Sequence, residues 1–397
     1  MTLVSRKTRS FLAALLLAAA APAWAGSEMP KWFGLAPELA DNWVVETGER
    51  TDRVTVRRRV PAADAHKVLV LYSKRSSAYD TAISKILAVF DDKALDATVT
   101  AINYAGDADA GKAALDHARD GGYDLVYTMG STATRFAYKE FRGAAIPVVS
   151  VCAKDPVLLG QMRDYVSGSG NNFAFTSLNV PVEVQFAYLE ELRPRLRNIA
   201  VLFAHQNKSA VTTQLRPLAA VARERGINVL ELGVRDRNQA KAELPSLVRE
   251  AVAKMRQTDP GLGNSIFWIT GSTSVFREIA TINRYAETVP VLSVVPDVVR
   301  AGGDSAVMSI GVSFESNAHI AAFYGIEILA NGMDAGQLKV GVVTPPDIAI
   351  NFRRAREIGL KVPFNFFESA SIVYDGDGRI VRDKGKRVVT ADRQPAG

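Results

Sequence analysis

Two stretches of this chain place a glycine and paired hydroxyls where a polar solute could be held. They are Tyr127-Thr128-Met129-Gly130-Ser131-Thr132 and Trp268-Ile269-Thr270-Gly271-Ser272-Thr273. In each, an apolar strand-like run ends at the glycine and a helical pattern begins after it. Glycine lets a backbone approach a ligand closely. Serine and threonine cap the helix or offer a hydroxyl to the ligand, and free N–H groups at the positive helix end favour an anionic group. One exposed helix end contributes only about 0.3–1 kcal/mol toward a charge. Several such loops must converge to give useful affinity.

Bond-breaking chemistry has no comparable support. The chain has no G-x-S-x-G elbow, no G-x-x-x-x-G-K-[ST] loop and no H-E-x-x-H pair. Its four histidines, His66, His117, His205 and His319, are scattered without metal-ligand spacing. His205 alone falls on a loop at a strand end, where it is expected to contact ligand. Cys152 is the sole cysteine, so no internal disulfide forms, and with no histidine beside it in sequence it reads as a small packed residue. Gly168-Ser169-Gly170-Asn171 lacks the remaining glycine of a dinucleotide fingerprint and reads as a flexible loop. No catalytic residue, metal ligand or cofactor is expected.

The elements that must position the two loops alternate between strand and helix. A Val- and Leu-rich strand at Lys67–Tyr72 precedes a helix over Thr81–Phe90, with Ile83, Ile86, Leu87 and Phe90 on one face. Strands at Thr98–Ile102 and Asp124–Met129 flank a helix at Ala108–Arg119. The alternation resumes with strands at Asn198–Phe203, Asn228–Leu232 and Ser265–Thr270, and helices at Thr212–Arg225 and Ala240–Met255. Such alternation argues for parallel sheets covered on both faces. The frame also repeats, 141 residues apart from Gly130 to Gly271, and each copy ends in a Pro-led strand at Ile146–Val151 or Val289–Val294. Upstream, Val68–Ser73 runs into Lys74–Ser77 as Ile199–Ala204 runs into His205–Ser209. So long a period fits one doubly wound lobe present twice, not a solenoid. In such sheets ligands bind beyond the carboxyl ends of the strands, where the strand order switches. Ser73, Ser76, Ser77 and Tyr79, with His205 and Asn207, therefore join the two Gly-Ser-Thr loops as candidate ligand contacts.

The leader says where the protein works. Arg6, Lys7 and Arg9 form a basic start, Phe11–Ala21 is unbroken and apolar, and Ala23-Trp24-Ala25 has the small-x-small cleavage pattern. A spanning helix needs roughly 20 apolar residues, and this run is shorter and meets Pro22. Cleavage after Ala25 leaves Gly26, so no lipid is attached at a terminal cysteine, and the periplasm is the expected location. The formal charge of +6 includes the three leader cations, which leaves +3. The basic clusters at Arg57–Arg59 and Lys384–Arg387 have acids close by and no aromatic platform, which argues against nucleic-acid binding.

From His66 to Pro363 the chain resembles the ABC-transporter substrate-binding family that includes tryptophan and tyrosine receptors. The matching pieces include Asp124-Leu125-Val126 with Gly130-Ser131-Thr132, and Ile146-Pro147-Val148 with Lys154-Asp155-Pro156-Val157. Later come Gly311-Val312-Ser313-Phe314, Gly325–Gly332 and Ile350–Ala355 with Ile358–Pro363. The resemblance implies the type I periplasmic binding fold, α/β, with two doubly wound parallel-sheet lobes joined by three crossing strands. Expected boundaries are 1–25 for the signal peptide, 26–65 for an N-terminal extension and 364–397 for a C-terminal tail. Lobe 1 is expected at 66–178 plus 309–334, and lobe 2 at 179–308 plus 335–363. Crossing strands are expected near Phe175–Leu178, Met308–Val312 and Val340–Thr344. The resemblance adds Lys154, Asp155, Asp297 and Phe314 to the candidate site. Asp155, Asp297 and Glu315 are the acids available for a ligand ammonium. Two departures stand out: Asn172-Phe173-Ala174 follows Gly170-Asn171 where relatives have Val-Thr-Gly, and Gly271-Ser272-Thr273 stands where relatives commonly have an aspartate. The expected function is capture of a small polar or amino-acid-like solute by a monomer serving an ABC permease. The alternative is a receptor of the same fold that reports its ligand to a membrane sensor, which the extra terminal segments favour.

Overall fold

Central strands buried along their whole length organise both halves of the chain. The computed structural model describes residues 29–388; the expected leader and the cleavage expected after Ala25 lie outside the described residues. The chain begins with an antiparallel pair, β1 (Trp43–Glu46) and β2 (Arg53–Arg58). It continues through β3 (His66–Tyr72), α1 (Ser77–Asp92), β4 (Ala97–Asn103), α2 (Ala108–Asp120), β5 (Leu125–Met129), α3 (Gly130–Glu140), β6 (Val148–Val151) and β7 (Phe173–Ala174). The sheet order is β1-β2-β4-β3-β5-β6-β7, parallel from β4 onward. Side chains on successive strand residues point to opposite faces. Accordingly Val68, Val70 and Tyr72 of β3 join one buried cluster with α1, while Leu69 and Leu71 join another with α2 and α3.

After β8 (Thr176–Ser177) the chain crosses to α4 (Val182–Leu192) and β9 (Asn198–Ala204). A continuous helical stretch follows: α5 (Lys208–Ala210), a π-helical turn at Val211–Leu215, and α6 (Arg216–Glu224). Next come β10 (Asn228–Val234), α7 (Ala240–Thr258), β11 (Ser265–Ile269), α8 (Thr273–Phe276), α9 (Ile279–Tyr285), β12 (Val291–Ser293) and β13 (Met308–Gly311). The order β10-β9-β11-β12-β13 is parallel throughout. It repeats the relative order β4-β3-β5-β6-β7 of the first sheet, so each sheet has a switch point between its first and third parallel strands.

Two further crossings link the lobes. From β13 the chain returns as α10 (Phe314–Leu329), whose Ala318, Ala321 and Ala322 pack with α1 on the first sheet. The Tyr127 hydroxyl donates to the Ala321 carbonyl at 3.2 Å, and a Cβ at Gly325 would overlap that hydroxyl. Then β14 (Gly341–Val342) pairs in parallel with β8, and the chain crosses again to β15 (Asp347–Asn351), antiparallel to β13. It ends in α11 (Phe352–Glu357), α12 (Phe364–Ser369), β16 (Ile372–Tyr374), β17 (Ile380–Asp383) and β18 (Lys386–Arg387).

The terminal segments differ from expectation. Within 26–65, expected to stand outside the lobes, β2 pairs with β4 and extends the first sheet, with Val54, Val56 and Trp43 fully buried. Within 364–397, β16–β18 extend the second sheet beyond β15, and Phe366 and Val373 enter its core. The lobes are thus mixed sheets with antiparallel margins. The physical reason is the exposed edge: an unpaired strand presents free N–H and C=O groups, and these segments cover two of them.

Candidate functional site

At the first switch point β3 and β5 lie side by side, and the loops leaving them run straight into α1 and α3. Neither helix start is capped by a side chain: Ser76 precedes α1 and Met129 precedes α3 without a capping hydrogen bond. The N–H groups of Ser131 and Thr132 have no protein acceptor among the described residues. These ends open into a cavity of about 160 Å³ between the lobes. Ser76, Ser77, Gly130, Ser131 and Thr132 line it from the first lobe, and Asn207, Ser209, Gly271 and Thr273 from the second. Gly130 has φ +79°, a left-handed conformation that glycine adopts without penalty. A Cβ there would also overlap the hydroxyl of Tyr79, which lies in the same wall.

Lys154 is the most unusual residue in this wall. It follows β6 on a loop pinned at several points. Cys152 N–H donates to Asn317 Oδ1 at 2.7 Å, Lys154 N–H to Ser131 Oγ at 2.9 Å, and Leu178 N–H to the Ala153 carbonyl at 2.9 Å. The side chain spans the cleft, and its ammonium sits so close to Gly271 that a Cβ there would overlap it. Only 8% of Lys154 is exposed, yet its ammonium has no ion-pair or hydrogen-bond partner among the described residues. Burial, with Lys74 nearby, pushes the ammonium down to about 8. Lys74 is held below its ordinary range as well, by burial and then by Arg237 and Arg277. Burying an unpaired charge is costly; an arriving anion would offset that cost.

The remaining wall is part acid, part cation and part aromatic. Asp297, on a short 3₁₀ turn at Pro296–Val298, reaches the water of the open cleft but is crowded by protein, and burial raises its carboxyl above the ordinary range. Arg300, three residues on, donates through Nε to the Asp297 carbonyl at 3.2 Å. Phe276 and Phe314 supply apolar surface. Cys152 is buried, its thiol pushed up by burial, which suits a packed residue and not a nucleophile.

Of the candidate residues, Ser76, Ser77, Tyr79, Gly130, Ser131, Thr132, Lys154, Asn207, Gly271, Thr273, Asp297 and Phe314 come together at this cavity. Four do not. Ser73 is turned inward with its hydroxyl buried. The Asp155 carboxylate accepts from the N–H groups of Val157 and Leu158 at 2.9 Å and from the Tyr165 hydroxyl at 2.7 Å, so it holds its own turn together. His205 lies over Gly233 of β10 and against Phe203, away from the cavity. The Ser272 hydroxyl is buried against Thr270 and Asn207. Glu315, offered as an alternative acid, pairs with Lys85 and Lys384 instead. The second Gly-Ser-Thr loop is therefore not the chemical equal of the first. Gly271 N–H is taken by Gln214 Oε1 at 2.8 Å, and α8 is a single short turn. Sequence reasoning also passed over Lys74, Ser209, Phe276 and Arg300. The repeat contained a signal for Lys74 and Ser209, since both sit in the matched loops after β3 and β9. No cluster of potential metal ligands occurs among the described residues, and no helix there is long and apolar enough to cross a membrane.

Comparison with known proteins places this geometry in context. A family described as ABC transporter substrate binding protein matches residues 81–373. No curated protein matches the sequence. Among solved structures, a conserved domain protein from Vibrio cholerae is similar at TM-score 0.61 and 18% identity, covering 78% of this chain and 100% of that one. The ABC domain in complex with L-Trp from Streptococcus pneumonia is similar at TM-score 0.60 and 16% identity, covering 77% and 99%. The ligand-free, open structure of a substrate-binding protein with adhesive properties from Clostridium difficile is similar at TM-score 0.58 and 18% identity, covering 78% and 99%. At these identities the likeness is one of fold.

Proposed function

This chain belongs to the ABC transporter substrate-binding protein family, and from that premise we propose that it captures a small polar or amino-acid-like solute between its lobes, outside the cytoplasm, and delivers it to an ABC permease. Members of this family bind their substrate and do not transform it. The observation that carries the reading is the meeting of loops from both switch points around one cavity, with the Thr132 hydroxyl and the Lys154 ammonium unpartnered there. The basic, apolar and Ala-x-Ala leader supports export and cleavage after Ala25. The alternative, a receptor reporting to a membrane sensor, is favoured by the extra terminal segments, which plain transport does not need; those segments extend the two sheets.

A thermal-shift screen of the protein against a metabolite panel tests the reading. A solute binding only the folded protein, at 100 times its Kd, stabilises it by about 2.7 kcal/mol. If the strongest hit melts the parent and the Thr132→Glu variant alike, the cleft is not its site and the reading fails.

A further inference from the structure

Basic side chains gather around the cleft with few acids facing them. Lys74, Lys154 and Arg300 line the cavity against one acid, Asp297. A groove continues outward from Lys74 and adds Arg75 from the first lobe, Arg237, Lys241 and Arg277 from the second, and a single acid, Glu278. None of these seven cations forms an ion pair among the described residues. Elsewhere Arg58, Arg225 and Arg256 each sit beside a carboxylate.

The positive groups form a path. Lys154 feels Lys74, and Lys74 in turn feels Arg237 and Arg277 at the mouth. At the inner end, the uncapped start of α3 and the unpartnered ammonium of Lys154, a residue only 8% exposed, face the same space. One anionic group there would satisfy Lys154 and leave Lys74 and the mouth uncompensated.

Resting on the solute-binding reading above, we infer that the solute is a small dianion, with one carboxylate or phosphonate group held between the Gly130–Thr132 helix start and Lys154 and the second directed toward Lys74 and the cationic mouth. Clefts lined by one sign of charge concentrate and steer oppositely charged solutes. Among the described residues, Asp297 and Glu278 are the only acids lining this path, and Asp297 sits beside Arg300.

Titration calorimetry with succinate, glutarate and phosphonoacetate, set against L-tryptophan, L-tyrosine and D-ribose, tests the inference. Either dicarboxylate or phosphonoacetate should bind at least tenfold tighter than any of the other three, and the two arms identify which anionic group is used. Binding should weaken as salt rises. It should also weaken as pH rises through about 8, where unliganded Lys154 loses its proton. Over that range the Cys152 thiol and Tyr79 hydroxyl, both pushed up by burial, stay neutral, and Lys74 titrates in the same direction. Lys154→Met should lose at least tenfold in affinity and the pH step with it, while melting no lower than the parent because a desolvated charge has gone. Tighter binding of L-tryptophan, L-tyrosine or D-ribose through Thr132 overturns the dianion and leaves the solute-binding reading intact. Absence of dianion binding, or a Lys154→Met variant that binds the dianion as the parent does, overturns it too.

Discussion

Thr132 stands at the point where helix stability and solute binding can be separated. It is exposed in the cleft, within the first turn of α3, and its hydroxyl has no partner among the described residues. A carboxylate at that position interacts favourably with the helix end, so Thr132→Glu should leave folding within about 1 kcal/mol of the parent. The same charge would fill the cavity and repel an incoming anion. Affinity for the dianion should therefore drop at least tenfold, or about 1.4 kcal/mol, in calorimetry; unchanged affinity would make the loop a plain helix start. The types of the site residues were legible, because a repeated strand–glycine–hydroxyl frame marks strand ends at a switch point. Their orientation was not. Asp155, His205 and Ser272 sit on the right loops, but a turn, a glycine in the neighbouring strand and a buried hydroxyl network turn them away. The depth of Lys154 was equally hidden, since burial of one side chain depends on the opposite lobe and leaves no local pattern.

Strands and helices of the parallel portions could be read from period and composition, with ends mostly within a few residues of those observed. The terminal elements could not. β2 pairs with β4 across more than 40 residues of chain, and its Arg53–Arg58 sequence is too charged to read as a strand in isolation. What anchors it is Trp43 on its partner β1, which is fully buried. The indole Nε1 donates to Asp91 Oδ2 of α1 at 2.9 Å, and the Arg58 guanidinium lies 5.3 Å over the ring. Truncating a buried aromatic side chain typically costs about 3–5 kcal/mol. Trp43→Ala should fall in that range by denaturant unfolding. A loss below about 1 kcal/mol would mean that β1 and β2 are an appendage after all.

Three crossings at β8, β13 and β14 join the lobes, and the cavity lies between them. Rotation about short crossings is the hinge motion by which two-lobed proteins close on ligands. Small-angle scattering should show a smaller radius of gyration when the dianion saturates the protein; an unchanged radius would count against closure. The return of α10 has another consequence, one that concerns time. Its alanine face covers one side of the first sheet, but α10 is made only after the five parallel strands of the second sheet, β9 to β13, have been synthesised. A chain emerging from its N-terminus therefore cannot complete its first core early. Contacts of such long sequence separation slow folding, and partly folded species expose apolar surface in the meantime. A fragment ending at residue 178 should accordingly bind a hydrophobic dye and lack a cooperative melt. Vectorial synthesis thus holds the first half unfinished until about residue 329, an interval in which a nascent chain stays loose enough to be threaded through a membrane pore.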